Sequence, residues 1–230
     1  EAYVGEQLAQ VDPEAVLASR VTLRRRIARA LREPLLETYR GLAASGPYSP
    51  DAASAGRRSL RNLCLGYLLE LDEAEMRALA KAQFDAADNM TDAMAALAAL
   101  ANCDCPERTA ALAAFYERWR HEALVVDKWL AVQASSRLPN ALAEVERLCR
   151  HPAFDIRNPN KVYSLVRVFC ANQARFHAAD GSGYRFGAER VLEIDALNPQ
   201  VAARIARAFD RWKKFDAGRQ AHAHAALERL

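Results

Sequence analysis

Apolar residues recur along this chain at intervals of three and four, the spacing that lays one hydrophobic stripe along an α-helix. Val16, Leu17, Val21, Leu23, Ile27, Ala28 and Leu31 make the first stripe. Just ahead of it, Asp12-Pro13-Glu14 offers a capping carboxylate, a proline at the first helical position and an acid in the first turn. Pro34 kinks or restarts the helix before Leu35, Leu36 and Tyr39, because proline lacks the N–H a helix interior needs. Ser49-Pro50-Asp51 repeats the start signal ahead of Leu60, Leu63, Cys64, Tyr67 and Leu68. Asp72 is expected to begin a third helix, with Met76, Leu79, Ala80 and Phe84 on one face.

The pattern continues to the end. Asn89 caps an Ala-rich helix through Leu97 and Leu100, and Pro106-Glu107 opens one through Leu112, Phe115 and Trp119. Another helix spans roughly Val125 to Gln133, and Asn140 starts one through Val145 and Leu148. Asn158-Pro159-Asn160 caps a helix carrying Val162, Leu165, Val166 and Phe169. After the glycine cluster Asp180-Gly181-Ser182-Gly183-Tyr184, a short helix runs through Val191 and Ile194. Asn198-Pro199-Gln200 starts the penultimate helix, with Val201, Ile205, Phe209 and Trp212, and Asp216 the last. No segment alternates convincingly as a strand should. The pattern predicts an all-α protein of about ten helices, paired at intervals like the ~34–45 residues of helical-repeat units. A degenerate superhelical array of antiparallel helix pairs, armadillo- or HEAT-like, is the expected fold, with a closed bundle as the alternative.

Composition agrees. Hydrophobic residues make up 51%, enough for a sizeable core, and Gly and Pro number only 9 each. The net charge is +3, with the signs interspersed. The densest basic run, Arg24-Arg25-Arg26, should fan around its helix, so no nucleic-acid partner is expected. No apolar run approaches the roughly 20 residues needed to span a bilayer, so no membrane partner is expected either. The odd count of 5 cysteines, mostly within apolar helical stretches, points to reduced thiols and a cytoplasmic setting. The segment Glu1-Ala2-Tyr3-Val4-Gly5 has neither an initiating Met nor the charged-then-apolar pattern of a signal peptide. A piece of a longer polypeptide is the expectation.

The chemistry-bearing residues form no complete constellation. His121-Glu122-Ala123-Leu124-Val125 begins like a zinc-peptidase helix, but Val125 stands where the second His belongs. Cys103-Asp104-Cys105 lacks a second ligand pair and reads as a helix-to-helix loop. His222 and His224, two apart on a helix, point to different sides. His151 and His177 stand at helix ends, where a cationic or capping role is ordinary. The glycine cluster lacks the Lys and preceding strand of a phosphate loop, and its glycines are expected at positive φ between helices. No catalytic residue and no metal ligand are expected in this chain.

Six stretches, in order and spacing, resemble the C-terminal domain of bacterial aminopeptidase N, in the alanyl-aminopeptidase branch of the zinc metallopeptidases. They are Arg58-Ser59-Leu60-Arg61-Asn62-Leu63-Cys64, Gln83-Phe84 through Asn89-Met90-Thr91-Asp92-Ala93, and Leu124-Val125-Val126-Asp127-Lys128-Trp129. The others are Asn158-Pro159-Asn160-Lys161, Phe176-His177 with Asp180-Gly181-Ser182-Gly183-Tyr184, and Asn198-Pro199-Gln200-Val201-Ala202.

The resemblance implies that residues 1–230 form a single helical C-terminal domain, bowl-shaped, closing over the active-site chamber of a larger enzyme. Zinc, its two His and Glu ligands and the general-base Glu would lie in the catalytic domain of the same polypeptide. The partners would be that domain and peptide substrates, and the chain alone would be inactive. Gln200 matches a position bordering the pocket for the substrate's N-terminal side chain, and Arg204 a basic residue facing the chamber. At i and i+4 the two share a helix face, near the positive end of the helix capped by Asn198. Where the family carries a chamber-facing Arg after the Asn-Pro-Asn cap, this chain has Tyr163. That leaves Arg204 as the one basic contact carried over. A free-standing repeat adaptor, binding a protein or peptide in its groove, is the competing reading.

Overall fold

A computed structural model describes residues 2–43 and 46–230; Glu1, the first residue of the N-terminal segment considered above, lies outside them. Helices dominate it. In chain order they are Ala2–Gln7 (α1), Pro13–Ala30 (α2), Arg32–Gly41 (α3), Ala52–Leu68 (α4), Ala74–Ala86 (α5), Met90–Leu100 (α6), Pro106–Trp119 (α7) and Ala123–Ala134 (α8). There follow Ala141–Cys149 (α9), Pro159–Val162 (α10), Val168–Cys170 (α11), Gln173–Phe176 (α12), Ser182–Asp195 (α13), Pro199–Ala206 (α14) and Ala217–Leu227 (α15). Between α10 and α11 the chain stays helical but widens to a π-helix over Tyr163–Arg167. The all-α expectation holds: among the described residues the one strand-like pairing is an isolated bridge from Val11 to Phe215.

The start signals act through defined hydrogen bonds. The side chains of Asp12, Asp51, Asn89, Asn158, Asn198 and Asp216 accept backbone N–H groups from Glu14, Ser54, Asp92, Asn160, Val201 and Arg219. Each satisfies a donor that helix geometry leaves orphaned, typically worth about 1 kcal/mol. Asp72 does not begin α5. It sits in left-handed conformation at φ 56° and closes a 3-10 turn, while the guanidinium of Arg77 donates to its carbonyl and carboxylate. Pro34 restarts a helix, falling in the first turn of α3 where its missing N–H goes unneeded.

The chain forms two compact units, one of residues 20–118 and one of residues 1–19 with 119–230. In the 20–118 unit α3 packs on α4, α5 on α6, and α4 on α6. Leu36, Leu65, Leu68, Met76, Leu97, Leu100 and Phe115 are fully buried there. A polar network runs through this core. Tyr39 donates to Gln83 Oε1 at 2.9 Å, and Gln83 Nε2 donates to Asn62 Oδ1 at 2.7 Å and to the Asp92 carbonyl at 3.1 Å. Asn62 in turn donates to the Asp92 carboxylate at 2.8 Å. Arg24 and Arg25 both reach the end of α4, Arg24 to the Glu70 carboxylate and Arg25 to the Glu70 carbonyl, while Arg26 is exposed. The basic run thus divides between an internal tie and solvent.

In the other unit α8 packs on the π-helix and on α9, and α13 packs on α14 and α15. Phe169, Phe176, Tyr184 and Phe209 form its fully buried aromatic centre. Phe176 meets Phe169, Tyr184 and Phe209 edge-on, with ring centroids 5.3–6.4 Å apart. The glycine cluster does more than turn the chain. Gly181 takes φ 69° as the N-cap of α13, which begins inside the cluster and runs fourteen residues instead of the short helix expected. Gly183 is helical, but a Cβ there would collide with the carbonyl of Phe176.

Candidate functional site

Both residues carried over from the family lie on α14, where the burial of Val201, Ala202 and Ile205 decides which side faces inward. Gln200 and Arg204 are exposed. Arg204 lines a cleft of about 640 Å³ in the 1–19/119–230 unit; Gln200 is not among the lining residues. Arg204 also stands in the last turn of α14, at the opposite end from the Asn198 cap, because that helix is only eight residues long. The positive helix end is therefore not beside it, contrary to expectation. The last turn is instead where a cation is favoured by the carbonyl end of the helix.

The opposite wall comes from the π-helix. Tyr163 and Arg167 both line the cleft, and Cys170 and His177 reach it from buried positions. Arg204 donates to the Tyr163 hydroxyl at 3.0 Å, and the Arg167 guanidinium lies 5.7 Å from the Tyr163 ring centroid. Arg207 and Arg211 complete a set of four guanidiniums. Arg207 is paired with Asp210 at 3.2 Å and Arg211 with Glu6 at 2.8 Å. Arg167 was not singled out from the sequence. Its signal was there: four residues after Tyr163, it shares a helical face with the position singled out as a departure from the expected pattern. The widened turn was not legible, since nothing in Tyr163-Ser164-Leu165-Val166-Arg167 distinguishes a π-helix from an α-helix.

His177 does not serve as a surface cation. It is 2% exposed, with its ring 4.1 Å from that of Phe215. Burial, reinforced by the neighbouring Arg219 guanidinium, pushes its pKa down to about 3, so it is neutral near pH 7. Its Nδ1 shares a 3.0 Å hydrogen bond with Tyr184, whose phenol burial holds in the protonated form. Arg219, also missed from the sequence, donates to the His177 carbonyl at 2.7 Å and pairs with Asp216 and Glu14. It ties α15 to the start of α2. His151, just past the end of α9, caps no helix: its Nδ1 accepts the Ala153 N–H within a turn, and its ring lies tilted against that of Trp129, centroids 5.2 Å apart.

The remaining candidates stay apart. His121 and Glu122 are exposed in the turn before α8, so they share no helix face. Cys103 and Cys105 are buried in the loop joining α6 to α7. His222 and His224 are both exposed on α15; His222 packs against Gly181, and His224 lies beside Trp212 and 3.6 Å from Glu228. Among the described residues, no three His, Cys, Asp or Glu side chains are grouped to hold a metal ion. No helix among them is long and apolar enough to cross a membrane.

Comparison with known proteins places the chain. All of residues 1–230 match the family described as "Domain of unknown function (DUF3458_C) ARM repeats". The chain belongs to this family. Its repeats are the superhelical class that the hydrophobic pattern predicts, and its relatives bear out the resemblance to the C-terminal domain of aminopeptidase N. The chain is 40% identical to Aminopeptidase N of Caulobacter vibrioides over 220 residues, 95% of the chain and 26% of that protein. It is 39% identical to Aminopeptidase N of Escherichia coli over 221 residues, 96% of the chain and 25% of that protein. A solved structure, Legionella pneumophila aminopeptidase A in complex with aspartic acid, superposes with a TM-score of 0.88 at 31% identity. That match covers 97% of this chain and 27% of the other. The chain therefore spans about a quarter of the length of the relatives it matches.

Proposed function

We propose that this chain, residues 1–230 as one domain, is the C-terminal part of a cytoplasmic zinc-dependent aminopeptidase that removes N-terminal residues from peptides. The observation that carries the reading is the match along 95% and 96% of the chain to about a quarter of each of two aminopeptidases N. In this reading the domain caps the active-site chamber and governs which peptides enter. Zinc and its ligands belong to the catalytic domain of the same polypeptide, and the residues of this chain neither bind it nor hydrolyse peptides alone. Gln200 borders the pocket for the substrate's N-terminal side chain, and Arg204, at the rim of the cleft, attracts the substrate's anionic end. The reading includes no nucleic-acid or membrane partner.

The test is the size and activity of the native polypeptide. An antibody against this chain should detect a band several times larger than 25.5 kDa, in fractions that hydrolyse alanyl arylamides and lose that activity to a zinc chelator. A 25.5 kDa band without such activity would overturn the reading. Gln200→Ala in the full enzyme should alter N-terminal residue preference while zinc content stays constant; loss of zinc would refute the pocket assignment.

A further inference from the structure

Four guanidiniums line one cleft, yet they are not equivalent. Arg207 and Arg211 have carboxylate partners in Asp210 and Glu6. Arg167 and Arg204 have none within ion-pair distance among the described residues; each is instead held by Tyr163, one over its ring and one on its hydroxyl. Two like charges converging on one phenol repel each other, and the one carboxylate among the cleft's described lining residues, Asp210, is paired with Arg207. An external anion would offset the repulsion. Guanidinium groups are suited to it: each presents a rigid fork of N–H donors matching the two oxygens of a carboxylate. Tyr163 orients both forks, which lowers the entropy lost when an anion is gripped. The π-helix makes the arrangement possible by placing Tyr163 and Arg167 on one widened turn. At about 640 Å³ the cleft falls in the range of sites that hold small ligands, so it accommodates the end of a short peptide.

We propose that Arg167 and Arg204, oriented by Tyr163, form a clamp for the free C-terminal carboxylate of a short peptide. The proposal rests on the aminopeptidase reading and deepens it. Arg167 and Arg204 enter the cleft from two different helical segments and meet at Tyr163, so a carboxylate between them has a guanidinium on each side. Arg167 is a specificity-determining residue for peptides with free C-termini, as against C-terminally blocked ones.

The experiment uses the full-length protein carrying this chain and the tripeptide Ala-Ala-Ala, as the free acid and as its C-terminal amide. Wild type is expected to prefer the acid in kcat/KM. Arg167→Gln should lower that preference about 10-fold, through KM, as expected for loss of a charge-assisted contact. Arg167→Lys should restore only part of it, since an ammonium lacks the fork. Arg167 is exposed, so thermal unfolding of the variants should match wild type. An acid-to-amide ratio equal in wild type and Arg167→Gln would overturn the clamp while leaving the peptidase reading intact. Hydrolysis of neither peptide would refute the peptidase reading and the clamp with it. Inhibition by inorganic phosphate that disappears in Arg167→Gln, with the ratio unchanged, would assign the pair to a free anion instead.

Discussion

The ammonium of Lys161 lies 2.8 Å from the carboxylate of Asp127 and donates to the carbonyl of Ala123 at 2.9 Å, joining the Asn-Pro-Asn-Lys segment to the first turns of α8. Both side chains are largely buried, at 10% and 14% exposure. Two of the six stretches that carry the family resemblance thus exist to hold each other. The same is true in the other unit, where Asn62, Gln83 and Asp92 come from two further stretches and bond to one another in the core. The resemblance is written mostly in internal ties.

Breaking the Lys161–Asp127 pair from one side should be costly. Asp127→Ala leaves a buried ammonium with one carbonyl for company, and such one-sided deletions typically destabilise by about 3 kcal/mol. Replacing both partners, as Asp127→Leu with Lys161→Met, should recover much of the loss, because no charge is then stranded. All 3 tryptophans fall in this unit, so intrinsic fluorescence during urea denaturation reads it selectively. Equal losses in the single and double variants would show that packing, not charge, is what Asp127 contributes.

His177 should make the same unit sensitive to acid. Its folded pKa of about 3 lies below the ordinary value of 6.5, so the unfolded chain takes up this proton first. Its contribution is complete above pH 6.5 and is lost as pH falls toward 3. The slope in that window approaches one proton, about 1.4 kcal/mol per pH unit at its steepest. Asp216, held below the usual carboxylate range by Arg219, adds to the loss only near and below its ordinary pKa of 3.8. His177→Gln should therefore flatten the dependence of the urea midpoint on pH between 6 and 4. An unchanged slope would mean that another group titrates there.

Helix caps and apolar stripes were legible in the sequence because both are local: a residue and its neighbours within one turn decide them. Asp51, Asn89, Asn158 and Asn198 each cap as their spacing predicts. What was not legible depends on segments far apart in the chain. His177 reads as a helix-end cation until Phe215 and Arg219, some forty residues on, close over it. Resemblance singles out Arg204, and Tyr163 only as a departure. Their 3.0 Å contact, spanning 41 residues, needed the fold. Asp72 misled because a left-handed Asp and a capping Asp look alike in sequence.

Native thiols should be poorly reactive. Burial pushes Cys170 up to about 12 and Cys149 up to about 11, and the thiols of Cys64 and Cys105 are raised by burial as well. The thiolate is the reactive species, so at pH 7.5 iodoacetamide should label the folded chain slowly and label all 5 cysteines after denaturation. Mass spectrometry of the folded sample locates any fast site. Rapid labelling of Cys170, which touches the cleft but is 4% exposed, would show that the cleft opens in solution.

Two glycine substitutions should move stability in opposite directions. Gly183→Ala drives a methyl group into the Phe176 carbonyl, which is backbone and cannot swing aside, so α12 and α13 must separate. Overpacking of this kind typically destabilises by about 1–3 kcal/mol, and here it disturbs the aromatic centre around Phe176. Gly56 lies inside α4 with nothing within 4 Å of an added Cβ. Gly56→Ala should stabilise by about 0.5–1 kcal/mol, because alanine gives up less backbone freedom on folding. Circular dichroism during urea denaturation checks both. If Gly183→Ala proved neutral, the close approach of α13 to Phe176 would be wrong, and with it the reason that the cluster carries a second glycine.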